Sequence, residues 1–188
     1  MEKTTSNLSG NRINIQHHKT KIGELILGSF DDHLCLLDFK YRKMRTTVDN
    51  RIKIGLKADF LERNDATLTK TKEQLDEYLS GNRKEFDIPL LMVGTDFQKR
   101  VWNALIKIPY GFTSTYLQLA KNINNTKAVR AVASANGANA IALVIPCHRI
   151  IESSGDLGGY GGGLTIKKRL LKLEQRNNDL SDNEKYEI

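Results

Sequence analysis

Between Thr95 and Glu174 the sequence is punctuated too closely to fold in many ways. The stretch "TDFQKRVWNALIKIPYG" sets Phe97, Val101, Leu105 and Ile108 at helical spacing, with Thr95 as N-cap and Pro109 as the stop. Two short helices follow, "TSTYLQLAKNI" and "TKAVRAVASANG", on either side of an asparagine turn at Asn124 and Asn125. Next come an apolar run, "AIALVIP", expected as a strand, then Cys147-His148, a glycine-rich loop "GDLGGYGGG" and a last helix "LTIKKRLLKLEQ". Two short helices joined by a tight turn are the outline of a helix-turn-helix. The pattern alone favours two core helices, so composition has to decide. The second helix carries Arg130 among Ala128, Ala131, Ala133, Ser134, Ala135 and Gly137. Such small side chains let a helix approach a groove closely. One long cation among them suits binding through phosphates and shape, with little reading of base edges.

The first half has a different texture. "GELILGSFDDHLCLLDFK" reads as an antiparallel hairpin with an Asp-Asp-His turn. "TLTKTKEQLDEYLSG" reads as a surface helix stopped by Gly81, and "KEFDIPLLMVG" as a strand or extended link to Gly94. Residues 1–10 are polar and expected to fray, and the tail from Arg176 is polar as well. The expected division is an α/β domain over residues 1–90, a mostly helical domain over 91–175 and a flexible tail over 176–188.

A net charge of +7 favours an anionic partner, nucleic acid first. No apolar leader follows the N-terminus, and the longest apolar run, Ala138 to Pro146, is too short to span a bilayer. Two cysteines, Cys35 and Cys147, fit a reducing compartment. Cys35 with His33, His17 and His18 is a loose cluster without metal-ligand spacing, so no metal is expected. The glycine-rich loop lacks both phosphate-binding spacings. Its glycines are read as backbone lining a pocket beside Tyr160.

"VIPCHRII" sets a thiol and an imidazole side by side behind a proline. The bland reading is a buried cysteine acting as a small hydrophobe. Against it stands His148, which can accept a proton. If the pair sat on a strand, the two side chains would face opposite ways and a bridging water would be needed. An apolar wall raises the thiol pKa, so the imidazole must offset that effect for a thiolate to form. Acyl chemistry would also need an oxyanion hole, and no further group nearby in sequence supplies one.

"FQKRVW", "IPYG", "YLQLA", "KAVRAVASANGAN", "PCHR", "GYGGGL" and "LLKLE" occur in this order between Gly94 and Glu174. Together they resemble the O6-alkylguanine-DNA alkyltransferases; the first half resembles that family only in outline. The resemblance implies a ribonuclease-H-like α/β N-terminal domain and a helical, winged-helix-like C-terminal domain with a helix-turn-helix. It implies a DNA repair protein that flips O6-alkylguanine, with O4-alkylthymine as a second candidate, out of double-stranded DNA. The alkyl group would pass irreversibly to Cys147, once per molecule. His148 would be the water-mediated base, Glu174 its orienter, Tyr116 the donor to the leaving guanine and Asn139 the brace of the active-site turn. Arg130 would fill the gap left by the flipped base, with Thr126, Lys127, Ala128, Ala131 and Ser134 on the DNA-facing surface. Val144, Ile145, Gly159, Tyr160 and Gly161 would wall the pocket. No cofactor is implied. A monomer is expected, without membrane contact, in the cytoplasm or in the nucleus of a eukaryotic cell.

The chain departs from the family in carrying Gly161 where serine is common and in lacking the cysteine pairs of zinc-binding members. It also shows no cysteine-rich regulatory segment upstream, which argues against a transcription regulator. Two other readings remain. In one, the chain is a DNA-binding lesion sensor in which Cys147 is incidental; its presence argues against that, because a sister group of alkyl-lesion binders lacks it. In the other, a Cys–His–Glu hydrolase would turn over repeatedly.

Overall fold

The computed structural model describes residues 11–183, with side chains described to residue 177. The expectation of fraying over residues 1–10 lies outside that range, as do residues 184–188. A four-stranded sheet forms the first half, in the order β3-β2-β1-β4. Its strands are β1 (Asn11–Thr20), β2 (Gly23–Phe30), β3 (His33–Phe39) and β4 (Ala58–Glu62). β1, β2 and β3 are antiparallel neighbours, whereas β4 runs parallel to β1 after the crossover helix α1 (Arg45–Leu56). The hairpin expected from sequence forms, with Asp31 and Asp32 both at positive φ in the two-residue turn. β1, α1 and β4 were not legible beforehand. Their alternation is broken by His17, His18 and a run of cations.

Helix α2 (Ala66–Ser80) covers one face of the sheet. Asp65 caps it, its side chain accepting from Leu68 N–H, and Gly81 closes it at φ +87°. The segment after α2 stays extended and touches the outer edge of β3 through Leu34 N–H to Pro89 O and Leu91 N–H to Leu34 O. The loose cysteine–histidine cluster does not converge. Cys35 faces the core and donates to Gly28 O, while His17 lies against Glu24 and His18 against Asp76.

The second half is built from α3 (Asp96–Ile106), β5 (Ser114–Thr115), α4 (Tyr116–Asn122), α5 (Val129–Gly137), β6 (Ile150–Ile151) and α6 (Leu164–Asn183). Thr95 and Gln98 form a full capping box at the start of α3. One turn of 3₁₀ helix, Thr126–Ala128, leads into α5, so α4 and α5 make the helix-turn-helix. Trp102 of α3 ties its indole N–H to Ala135 O of α5 at 2.9 Å.

The run "AIALVIP" does not become a strand. Only Ile141 pairs with β3, opposite Leu37, through Leu37 N–H to Ala140 O and Ala142 N–H to Leu37 O. The chain then turns at Leu143, φ +71°. Asn139 makes that turn: its amide donates to Ile145 O, and its carbonyl accepts from Ile141 N–H, both at 2.9 Å. Helix α6 also runs beyond the boundary expected at Arg176, to Asn183. Asn177 holds the extra turn, donating to Tyr110 Oη at 3.2 Å.

The two halves share one core. A single apolar cluster runs from Leu25, Leu37 and Tyr78 to Val101, Leu119, Ile145 and Cys147. Arginines from the first half also close the C-terminal end of α5. Arg42 donates to Gly137 O and Asn139 O, and Arg51 to Ala138 O. These carbonyls have no partner within the helix, and a cation is favourable at that end of its dipole.

Candidate active site

Pro146 has no N–H, and the next residues close on themselves. Cys147 N–H bonds Ile145 O and Arg149 N–H bonds Pro146 O. Cys147, His148 and Arg149 therefore form one turn of 3₁₀ helix, not the strand end expected from sequence. Strands β5 and β6 pair directly after it, Ser114 with Ile150 and Thr115 with Ile151. That pairing anchors Tyr116, the first residue of α4, on the same side as Cys147.

Cys147 is 6% exposed and lines a cleft of about 550 Å³. Tyr116, Asn136, Asn139, Gly159, Tyr160 and Gly161 line the same cleft. Across from them stands the loop after β3, including Tyr41, Arg42 and Met44. Val144 and Ile145 do not line it. They belong to the turn beneath, with Ile145 fully buried. Gly162 meets the opposite wall so closely that a Cβ there would lie 2.5 Å from the Phe39 ring. Position 161 has room, since a Cβ would touch only Arg42, at 3.5 Å.

His148 and Glu174 are both 0% exposed. The imidazole Nε2–H donates to Glu174 Oε1 at 3.0 Å. That bond fixes the tautomer and leaves Nδ1 as the basic nitrogen. Nδ1 is buried and has no hydrogen-bond partner among the described residues. No hydrogen bond joins Cys147 to His148 among the described residues.

Glu174 is also the hub of a network the sequence did not reveal. Arg149 grips it from Nε and Nη2 at 3.0 and 2.9 Å and donates from Nη1 to Ile108 O at 2.6 Å. Gly111 N–H donates to Oε2 at 3.2 Å, and the Tyr78 hydroxyl donates to Oε1. Arg149 sits inside the quoted "PCHR", so its position was in view. Tyr78 gave no signal beyond being an aromatic residue on a helix.

Burial raises the Cys147 thiol pKa above its ordinary value, and Asn139, Arg42 and Lys167 oppose that only in part. The thiol therefore needs a base. Burial lowers the His148 pKa, with Arg149 and Lys167 acting the same way against Glu174. His148 is consequently neutral at neutral pH and able to take a proton. Burial raises the Glu174 pKa, but its bonds to His148 and Arg149 outweigh that and hold it down to about 2. Arg149 is a permanent cation, so Glu174 stays ionised even when His148 is neutral.

Of the DNA-facing set, Thr126, Lys127, Arg130, Ala131 and Ser134 are exposed and Ala128 is half-buried. Arg130 makes no hydrogen bond or ion pair among the described residues, and it does not line the cleft. Lys167, unassigned from sequence, is fully buried and donates to Ile150 O and Leu157 O, tying α6 to the glycine-rich loop.

An α/β half, a helix-turn-helix half and a cleft floored by a buried thiol beside a histidine–carboxylate pair define a protein of two joined parts, one of them built to bind DNA. Comparison with known proteins agrees. Residues 16–92 match the ribonuclease-like domain of 6-O-methylguanine DNA methyltransferase, and residues 96–176 match its DNA-binding domain. The methylated-DNA–protein-cysteine methyltransferase of Methanosarcina barkeri is 45% identical over 159 residues, 85% of this chain and 95% of that one. Its counterpart from Mycobacterium tuberculosis is 52% identical over 103 residues, 55% of this chain and 62% of that one. Crystal structures of the M. tuberculosis O6-methylguanine methyltransferase superpose with a TM-score of 0.73, covering 88% of this chain and 94% of that one. One of them is a complex with DNA, at 37% identity. The chain belongs to the 6-O-methylguanine DNA methyltransferase family and is an enzyme of that class.

Proposed function

We propose that this chain repairs double-stranded DNA by moving the alkyl group of O6-alkylguanine to Sγ of Cys147, once per molecule. O4-alkylthymine is a second substrate of the same chemistry. The observation that carries the reading is the cleft floor: a buried thiol next to a histidine whose tautomer is fixed by Glu174 and whose Nδ1 has no partner among the described residues. The thiol proton passes to Nδ1 through a bridging water, and the imidazolium is held by Glu174. Sulfur attacks the alkyl carbon, the S–C bond forms and the C–O6 bond breaks. Guanine departs with the electron pair, aided by a proton or hydrogen bond from Tyr116. No oxyanion hole is required. The product thioether is not hydrolysed, so each molecule reacts once.

The alkylated atom lies inside the duplex, so the base must be flipped into the cleft. Arg130, exposed near the start of α5 and without a partner among the described residues, fills the gap. Thr126, Lys127, Ala128, Ala131 and Ser134 set the helix against the backbone. Asn139 holds the turn that carries Cys147, while Gly159, Tyr160 and Gly161 wall the pocket. We assign residues 1–90 and 91–175 as its two domains and expect a monomer without a cofactor. Both cysteines are free thiols, which fits the cytoplasm, or the nucleus of a eukaryotic cell. No helix among the described residues is long and apolar enough to cross a membrane.

Titrating the protein with an excess of an O6-methylguanine duplex tests the proposal. Methyl loss from DNA should stop at one equivalent per protein. Continued turnover would indicate a hydrolase, and binding without loss of methyl would indicate a sensor.

A further inference from the structure

The first half of the chain supplies a group to the reactive centre. Tyr78 lies on α2, is 0% exposed and donates its hydroxyl proton to Glu174 Oε1. The same hydroxyl lies 3.4 Å from His148 Nε2. Its ring is fixed between Phe86, at 5.1 Å, and Tyr110, at 5.9 Å between centroids. Oε1 is also the oxygen that accepts from His148 and from Arg149. A carboxylate oxygen has two lone pairs, so these donors share one local charge. What Tyr78 withdraws from Oε1 is not available to support an imidazolium at His148.

We infer that Tyr78 is a positioning residue of the His148–Glu174 pair, through which the N-terminal half sets the pH range of alkyl transfer. This rests on the proposed role of His148 as base. The groups facing the pair are few. From the 3₁₀ turn come Cys147 and Arg149; from α6, Lys167; from the glycine-rich loop, Tyr160, its ring edge-on to His148 at 6.3 Å; from the loop after α3, Tyr110, with Lys84 over its outer face. Arg149 and Lys167 oppose protonation of His148, and Glu174 favours it. Tyr78 reduces what Glu174 contributes. His148 thus remains neutral, and able to accept the thiol proton, at a lower pH than it would otherwise.

Glu174 would keep its grip from Arg149 and Gly111 in Tyr78→Phe, which preserves the ring packing and removes only the hydroxyl. Hydrogen bonds to charged groups are strong, and this one is shared among several donors. Its loss should therefore raise the pH midpoint of transfer by about half to one unit.

The assay is single-turnover reaction with free O6-benzylguanine across the pH range, which keeps DNA binding out of the readout. Wild type and Tyr78→Phe should reach rates within about threefold of each other above both midpoints, with the variant falling away earlier as pH drops. A 3-fluorotyrosine at position 78, a stronger donor, should move the midpoint the other way, and it serves if the phenylalanine variant folds poorly. A rate lowered equally at every pH, or midpoints unmoved in both variants, overturns the inference. The base assignment fails separately if the wild-type profile has no step, or if His148→Gln leaves that step in place.

Discussion

Replacing Glu174 with Gln removes one charge from the point where Tyr78, His148, Gly111 and Arg149 converge. Sequence alone suggests a mild change, since the amide fills the same space. The structure argues otherwise, because the Arg149 side chain is only 8% exposed and no other carboxylate among the described residues pairs with it. Leaving a buried cation without its counter-ion costs about 3–5 kcal/mol. A second view of the same interaction agrees. The carboxyl pKa is held down to about 2 by its bonds to His148 and Arg149 against the effect of burial, so the folded state favours the ionised form that the amide cannot supply. In a chain of 188 residues a loss of this size should lower the melting temperature by about 6–20 °C.

The sign with pH follows from the direction of the shift. The folded carboxyl is more acidic than the unfolded one, so its contribution is complete above about pH 4.5 and fades towards pH 2. Urea melts followed by Trp102 fluorescence at several pH values measure both effects. The gap between wild type and Glu174→Gln should be several kcal/mol near neutral pH and should narrow in acid. A gap below about 1 kcal/mol at neutral pH, or one that stays constant down to pH 2.5, would refute the reasoning.

Cys147→Ser should abolish transfer while leaving affinity for a methylated duplex nearly intact, because the hydroxyl is similar in size and far less nucleophilic; comparable demethylation by the serine variant would remove the acceptor assignment. Arg130→Ala should slow reaction on duplex DNA and spare free O6-benzylguanine, since an unfilled gap affects only flipping; equal losses on both would point to misfolding. Affinity for undamaged duplexes should fall with salt at a log–log slope near −3 to −4, as expected for about three to five phosphate contacts. A flat salt response, or one sequence bound a thousandfold more tightly than others, would favour a regulator instead.

The sequence was most legible where one residue does one local job. Thr95 caps α3, Gly81 ends α2, and the Asp31-Asp32 turn joins β2 to β3. It was least legible where distant partners override local pattern. "AIALVIP" has the composition of a strand, but Asn139 folds it into a turn through two side-chain bonds, and of its residues only Ile141 pairs with β3. Helix α6 outlasts its apolar pattern because Asn177 finds Tyr110. The proposed grouping of Cys147, His148 and Glu174 was visible in the sequence only through the family resemblance of "PCHR" and "LLKLE", and the structure brings His148 and Glu174 into contact. Tyr78 and Arg42 were not visible, because each acts across the boundary between the two halves on residues roughly a hundred positions away, and such pairings leave no spacing to detect.

Mass spectrometry of the intact protein, followed by peptide mapping, after incubation with an O6-methylguanine oligonucleotide tests the assignment of Cys147 most directly. The expected result is one added methyl per molecule, located on Cys147, with Cys35 unmodified, since burial pushes the Cys35 thiol up to about 12. An unmodified protein beside demethylated DNA, or a methyl found at any residue other than Cys147, would contradict it.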